Sequence, residues 1–263
     1  MLCHETKDLG ILESDKFIAE RKLDGSRAIL IKKGDEIRVI GRRGLNYKAK
    51  LPEFQEDFSK LGDVVLDGEL VFLFNGREKL NIVQKRLLTE SRVMINFLAK
   101  RYPLSYYVFD ILELDGEDLR DLELLERKRI LDEFFREKFN CIKKLDYTFD
   151  KKKLWKEVVE KDLEGIILKD IHSRYLAKRS KSWLKLKNWK EAVLEFTSYE
   201  VNPAGVLLLN DNGDRVQCSG KQSEKVRKLI DERGKVKVVV QYLEKTKDGR
   251  LRMPTFKEIY GNF

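Results

Sequence analysis

Short strand-like runs closed by glycine turns dominate residues 27–114 and limit the fold to one built on paired strands. Residues 27–40 read as a strand, a Lys33-Gly34-Asp35 turn and a second strand. Residues 64–74 alternate with period two: Val65, Asp67, Glu69 and Val71 share one face, and Leu66, Leu70 and Phe72 the other. Residues 104–114 form another run, ending in Leu114-Asp115-Gly116. Helical spacing is clearest over 122–139, where Leu124, Leu131, Phe135 and Phe139 fall on one stripe. Shorter helices are expected over 52–61 and 151–161, and a buried strand at 165–168. After Lys187 the character changes. Strands are expected over 192–199, 205–209 and 236–243, with a helix over 223–232 closed by Gly234. Short strands around one helix, in about 75 residues, suit a five-stranded OB barrel.

With 263 residues the chain is one large domain or two ordinary ones. A hydrophobic fraction of 42% supports a packed core and excludes a disordered chain. The net charge of +9 suits a polyanionic partner. The 38% of charged residues, beside three Met and three Cys, also fits adaptation to heat. Cys3, Cys141 and Cys218 are scattered and odd in number, which argues against a disulfide framework or a zinc cluster and for a reducing cytosol. His4 and His172 are the only histidines, so histidine-based acid–base or metal chemistry is not expected. Residues 1–16 lack a signal-peptide core, and no apolar run is long enough to cross a bilayer. A cytoplasmic protein with no membrane partner is expected.

The chemistry concentrates at Lys22, in Glu20-Arg21-Lys22-Leu23-Asp24-Gly25-Ser26-Arg27, a stretch of the form E-x-K-x-D-G-x-R. A lysine attacks phosphorus only when its amine is neutral, so neighbours that disfavour the ammonium are expected. Lys185 and Lys187 are candidates: they share one strand face with Trp183, and their charges also suit a phosphate. K-x-D-G alone is a weak signal, because Asp-Gly is common in hairpin turns. Further stretches follow in order. They are Gly41-Arg42-Arg43-Gly44, Leu66-Asp67-Gly68-Glu69-Leu70, Val108-Phe109-Asp110-Ile111-Leu112, Glu164-Gly165-Ile166-Ile167-Leu168-Lys169, and Ser182 to Lys187.

Taken together, these six ordered motifs resemble those of the ATP-dependent DNA ligases, within the lysine nucleotidyltransferase superfamily that includes RNA ligases and mRNA capping enzymes. The resemblance implies an α+β fold. An adenylation (nucleotidyltransferase) domain of antiparallel sheets with flanking helices, residues 1–188, would precede a C-terminal OB-fold domain, residues 189–263. It implies that Lys22 is the nucleophile that takes AMP from ATP. Glu20 would contact adenine, Phe109 would stack on it, and Arg27 would lie near the ribose and phosphate. Arg42 would read the 5′-phosphate of a nick. Glu69 would hold the ribose and help a metal, and Glu164 would face the phosphates and carry Mg²⁺, with Mn²⁺ as a substitute. Arg179, Lys185 and Lys187 would contact the nucleotide phosphates. Asp110 is expected to be structural. The implied activity is sealing of nicks in duplex DNA by a monomer, in replication, repair or recombination. An RNA ligase, a capping-type enzyme or a non-catalytic nucleic-acid-binding homologue remain as alternatives.

Two departures stand out. Pro254 and Phe256 match the family's C-terminal P-x-F, but Tyr260, Asn262 and Phe263 stand where an Arg and a Lys usually orient pyrophosphate. Slower self-adenylation is expected unless Arg250, Arg252 or Lys257 substitutes. The short stretch before Lys22 also suggests that the large N-terminal DNA-binding domain of replicative ligases is absent.

Overall fold

The computed structural model describes residues 1–245 and 249–261. In chain order the elements are β1 (Leu2–Thr6), β2 (Phe17–Arg21), β3 (Ser26–Lys33), β4 (Glu36–Gly41), α1 (Gln55–Lys60), β5 (Val64–Val71), β6 (Leu73–Phe74), β7 (Arg77–Glu78), α2 (Leu80–Leu88) and α3 (Arg92–Arg101). There follow β8 (Ser105–Leu114), β9 (Glu117–Asp118), α4 (Leu124–Phe134), β10 (Ile142–Lys144), β11 (Tyr147–Thr148), α5 (Lys151–Glu160), β12 (Gly165–Asp170) and β13 (Arg179–Lys187). The remainder is β14 (Lys190–Phe196), β15 (Ser198–Asn202), β16 (Gly205–Leu209), β17 (Arg215–Cys218), α6 (Lys221–Arg233), β18 (Val236–Tyr242), β19 (Glu244–Lys245), β20 (Leu251–Arg252) and β21 (Thr255–Ile259). The fold is α+β. Contacts divide the chain into two units, Met1–Lys187 and Asn188–Phe263.

Two sheets frame the first unit. One has the order β1-β13-β12-β2-β11 and the other β10-β8-β5-β3-β4, with β9 beside β8. Pairing is antiparallel except for β1 on β13 and β10 on β8. The alternation in β5 has the expected consequence. Leu66 and Leu70 enter a core with Leu30, Phe54, Phe58, Val83 and Leu131, while Asp67 and Glu69 turn to the opposite face. A second core under the first sheet joins Phe17, Ala19, Ile166, Leu168 and Leu186 to Val158 of α5.

The helix expected over 122–139 is shorter. It ends at Phe134, and Phe135 and Phe139 pack with Phe134 against the edge of the main core, centroids 5.3–5.9 Å apart. The carboxylate of Asp57 accepts hydrogen bonds from the N–H groups of Asn140, Cys141 and Ile142 at 2.6–2.9 Å, which draws the chain into β10 instead of another helical turn. Helices α2 and α3 fill a stretch where no period stands out. Arg86 is fully buried there against Glu53 at 2.5 Å, while Val93 and Phe97 are exposed, so polarity and burial disagree.

In the second unit, Phe196, Val206, Leu208, Val226, Val238 and Val240 form one core beneath α6. The expected five-stranded barrel is not what the hydrogen bonds give. Among the described residues the main strands make two open three-stranded sheets, β14-β18-β21 and β15-β16-β17. The ladder breaks at Thr197, where β14 passes into β15 and pairing switches from β18 to β16. Helix α6 closes at Gly234, whose N–H bonds to the Ile230 carbonyl at 2.8 Å. Asp248, Asn262 and Phe263 lie outside the described residues. No helix among the described residues is long and apolar enough to cross a membrane.

Candidate active site

The first sheet sets out its polar residues by register. Glu5 on β1 faces Lys185 on β13, Lys185 faces Ile167 on β12, and Ile167 faces Glu20 on β2. One row along, Lys187 pairs with Gly165, whose carbonyl accepts the Lys22 N–H at 2.9 Å. The row on the other side holds Trp183 and Lys169. Residues two apart on a strand share a face, so Lys185, Lys187, Trp183, Glu20 and Lys169 all look the same way. They meet the polar face of the second sheet, where Arg27 on β3 pairs with Glu69 on β5.

Lys22 begins the turn from β2 to β3. Its Nζ lies 2.6 Å from Glu164 Oε1. The turn requires Gly25: a Cβ there would sit 2.2 Å from the Leu70 carbonyl oxygen. Lys22 opens onto a cleft lined also by Glu20, Arg27, Glu69, Phe109, Lys169 and Trp183. Phe109 enters it through a β-bulge, because Asp67 pairs with Asp110 and Gly68 with Val108, leaving Phe109 as the extra residue. Its ring meets Trp183 edge-on at 6.0 Å. Asp110 faces away, fully buried in a bidentate pair with Arg127 at 2.8 and 2.9 Å, as expected for a structural acid.

Glu20 is 1% exposed and sits between two lysines. Lys169 Nζ approaches its Oε2 at 2.7 Å, and Lys128 of α4 pairs with its other oxygen. Burial lowers the Lys169 pKa to about 8, against the opposing pull of Glu20. The same ammonium lies 4.3 Å from the Phe109 ring centre and 4.0 Å from that of Trp183. Arg27 is held by the carboxylate of Asp67 at 2.9 and 2.5 Å, and Asp67 also accepts from Tyr175 Oη at 2.8 Å. Burial raises the Glu69 carboxyl to about 8, although Lys22 and Arg27 act to lower it.

The structure therefore brings Lys22, Glu20, Arg27, Glu69 and Phe109 to one cleft. Glu164 joins through its ion pair with Lys22, and Lys185 and Lys187 flank it on the same sheet. Both of these lysines also bond Glu5 Oε2, each at 3.1 Å. Two candidates stand apart from the cleft lining. Arg179, at the outer end of β13, is exposed and donates to the Cys3 carbonyl. Arg42 is exposed beyond β4, in a second depression that shares Arg27 with the cleft. Three residues of the network escape sequence reasoning, Glu5, Lys128 and Tyr175, and Asp67 stands in a motif without an expected role. Lys128 had a signal, since it interrupts the apolar stripe of Leu124 and Leu131 (i, i+4 and i+7) with a charge.

The profile of the ATP dependent DNA ligase domain matches residues 1–187. The chain belongs to that family. It is 32% identical over 206 residues to the bifunctional non-homologous end joining protein LigD of Bacillus subtilis, covering 70% of this chain and 33% of LigD. It is 31% identical over 210 residues to DNA ligase 1 of Methanosarcina barkeri, covering 73% of this chain and 38% of that protein. The chain thus spans about a third of the length of these relatives. The SPbeta prophage-derived DNA ligase-like protein LigB of B. subtilis is 27% identical over 273 residues, covering 98% and 97%. Among solved structures, mycobacterial DNA ligase D complexed with ATP and MES matches with a TM-score of 0.64 at 21% identity, covering 100% of this chain and 95% of that one. A Lig E DNA ligase, described as DNA binding with a minimal scaffold, matches at 0.67 and 17%, covering 98% and 99%. These likenesses agree with the α+β fold of an adenylation domain followed by an OB-fold domain.

Proposed function

We propose that this chain seals nicks in duplex DNA with ATP, residues 1–188 serving as the adenylation domain and 189–263 as the OB-fold domain. The observation that carries the reading is Lys22 Nζ, 2.6 Å from Glu164, at the mouth of a cleft lined by the motif residues. In the first step the Lys22 nitrogen attacks the α-phosphorus of ATP. The Glu164 ion pair favours the ammonium, so Lys22 gives up a proton before attack, with Glu164 as the adjacent acceptor; the N–P bond then forms and the bond to pyrophosphate breaks. AMP then passes to the 5′-phosphate of the nick, and the 3′-hydroxyl attacks that phosphorus and expels AMP.

Phe109 and Trp183 give the cleft aromatic surface for adenine, next to the Glu20–Lys169 pair. Arg27, held in place by Asp67 and Tyr175, would lie near the ribose and phosphate. Lys185 and Lys187 hold the α-phosphate, and Arg42 and Arg179 provide outer contacts to nucleotide or nick phosphates. The donor set fits magnesium. Glu164, and Glu69 once a metal displaces its proton, would be hard oxygen ligands near Lys22, and Mg²⁺ is commonly held by one or two carboxylates together with substrate phosphates. Among the described residues no three His, Cys, Asp or Glu form a ready-made cage, so phosphate oxygens would complete the shell. When bound, Mg²⁺ or Mn²⁺ offsets the phosphate charge.

The net charge of +9 suits nicked duplex DNA as partner. The deciding experiment incubates the chain with ATP, Mg²⁺ and a nicked duplex, DNA in one arm and RNA in the other. Sealing of the DNA nick supports the reading. Preference for the RNA nick would make the chain an RNA ligase, and no covalent AMP in either arm would make it non-catalytic.

A further inference from the structure

Lys185 and Lys187 are already engaged by a group that no sequence motif contains. Glu5 lies on β1, the strand that pairs in parallel with β13, directly opposite Lys185. A single oxygen, Oε2, stands 3.1 Å from both ammonium groups. One anionic oxygen bridging two lysines is also the arrangement a nucleotide phosphate oxygen would adopt there. The Lys187 side chain is 8% exposed and that of Lys185 27%, while Glu5 retains 32% and so has room to withdraw. Burial acts to raise the Glu5 pKa, but its bonds to Lys185 and Lys187 outweigh this and hold the carboxyl below the usual range. Glu5 therefore stays charged at neutral pH.

We infer that Glu5 is an internal occupant of the phosphate subsite made by Lys185 and Lys187, a carboxylate that the phosphate of the incoming nucleotide displaces. The inference rests on the reading of these two lysines as phosphate ligands. With the nucleotide absent, Glu5 keeps the lysines close together against their mutual repulsion. On binding, the phosphate takes over both ammonium groups and the carboxylate turns to solvent. Glu5 thus sets the affinity for phosphate without touching the reacting atoms, which makes it a positioning residue.

The probe is inorganic tripolyphosphate, titrated calorimetrically at low salt into wild type, Glu5→Gln, Glu5→Asp and Lys185→Ala/Lys187→Ala. The Glu5→Gln variant should bind about fivefold tighter, the gain expected when an ion pair of about 1 kcal/mol no longer competes. Glu5→Asp, which keeps the charge, should stay near wild type, and the double lysine variant should lose the binding. Unchanged or weaker binding by Glu5→Gln would overturn the inference and leave Glu5 a brace for the lysines. A second measurement needs no variant: in wild type, tripolyphosphate should shift the Glu5 carboxyl ¹³C resonance and raise its midpoint toward that of a free glutamate. No shift on saturation would also overturn it. Capture of labelled AMP from ATP is measured separately. Its absence would remove the ligase reading while the tripolyphosphate result still judges Glu5.

Discussion

Lys22 and Lys169 in the cleft, and Asp110 buried behind it, show how differently charged residues are used. Replacing Lys22 with Ala should abolish capture of labelled AMP while DNA binding persists, since contacts by basic surfaces do not need the nucleophile. Covalent AMP on the variant would refute the assignment. Lys169 should leave a mark on stability. Its pKa falls from 10.5 to about 8 on folding. Between these values the unfolded chain holds a proton that the folded chain lacks, so stability rises with pH across that window. Below about 8 both states are protonated and the full cost of the buried ammonium remains. Urea unfolding at pH 8 and pH 10 should show this rise in wild type and lose it in Lys169→Gln. Asp110→Ala should cost about 3–5 kcal/mol by stranding Arg127 in the core. The motif residues were visible in the sequence because their order and spacing are distinctive. Glu5 and Tyr175 were not, because nothing in a linear pattern tells which exposed-looking polar residue will be folded against a distant strand.

Among the elements, the antiparallel pairing of β12 with β13 is the most demanding. Gly165 has φ +151°, and a Cβ would lie 2.3 Å from the Leu186 carbonyl oxygen. Gly165→Ala should cost at least about 2 kcal/mol through backbone strain and ladder displacement. It should also slow adenylation, because Glu164 and the Lys22 N–H both hang on this residue. Thermal unfolding and AMP capture test the two parts, and a variant with wild-type values in both would show that the strands yield easily. Residues 64–71 and 165–168 could be read as strands because alternation or a short apolar run reports burial directly. Helices α2 and α3 could not, since a buried Arg86 and exposed Val93 and Phe97 reverse the usual relation of polarity to position. The early end of α4 has a tertiary setting too: Asp57, far back in the chain, captures the N–H groups of residues 140–142, just past the expected helix, and fixes the chain in β10.

At the scale of the whole molecule, recognition of a nick by basic surfaces should be strongly salt-dependent. Each neutralised phosphate contributes about −0.9 to the slope of log K against log salt. A flat response in a binding titration would point to another mode of recognition. If the departure expected after Phe256 weakens a pyrophosphate contact, it should affect the first step alone, because pyrophosphate exists only there. A nick already carrying AMP on its 5′-phosphate should be sealed faster than one sealed from ATP. Equal rates would show that the missing charges have no kinetic consequence. The possible substitutes are engaged within their own unit, Lys257 with Glu191 at 2.7 Å and Arg252 with Glu244 at 2.8 Å. The two ends of the first unit carry a further consequence. Strands β1 and β2 are synthesised first, yet their partners β12 and β13 come last. On the ribosome the early segment must wait, with its edges uncovered, for most of the unit to emerge, and such long-range closure is slow and open to misassociation. The surroundings of Lys22 are in turn assembled only when translation of the unit is finished, so a prematurely terminated product carries the K-x-D-G stretch but not the cleft around it.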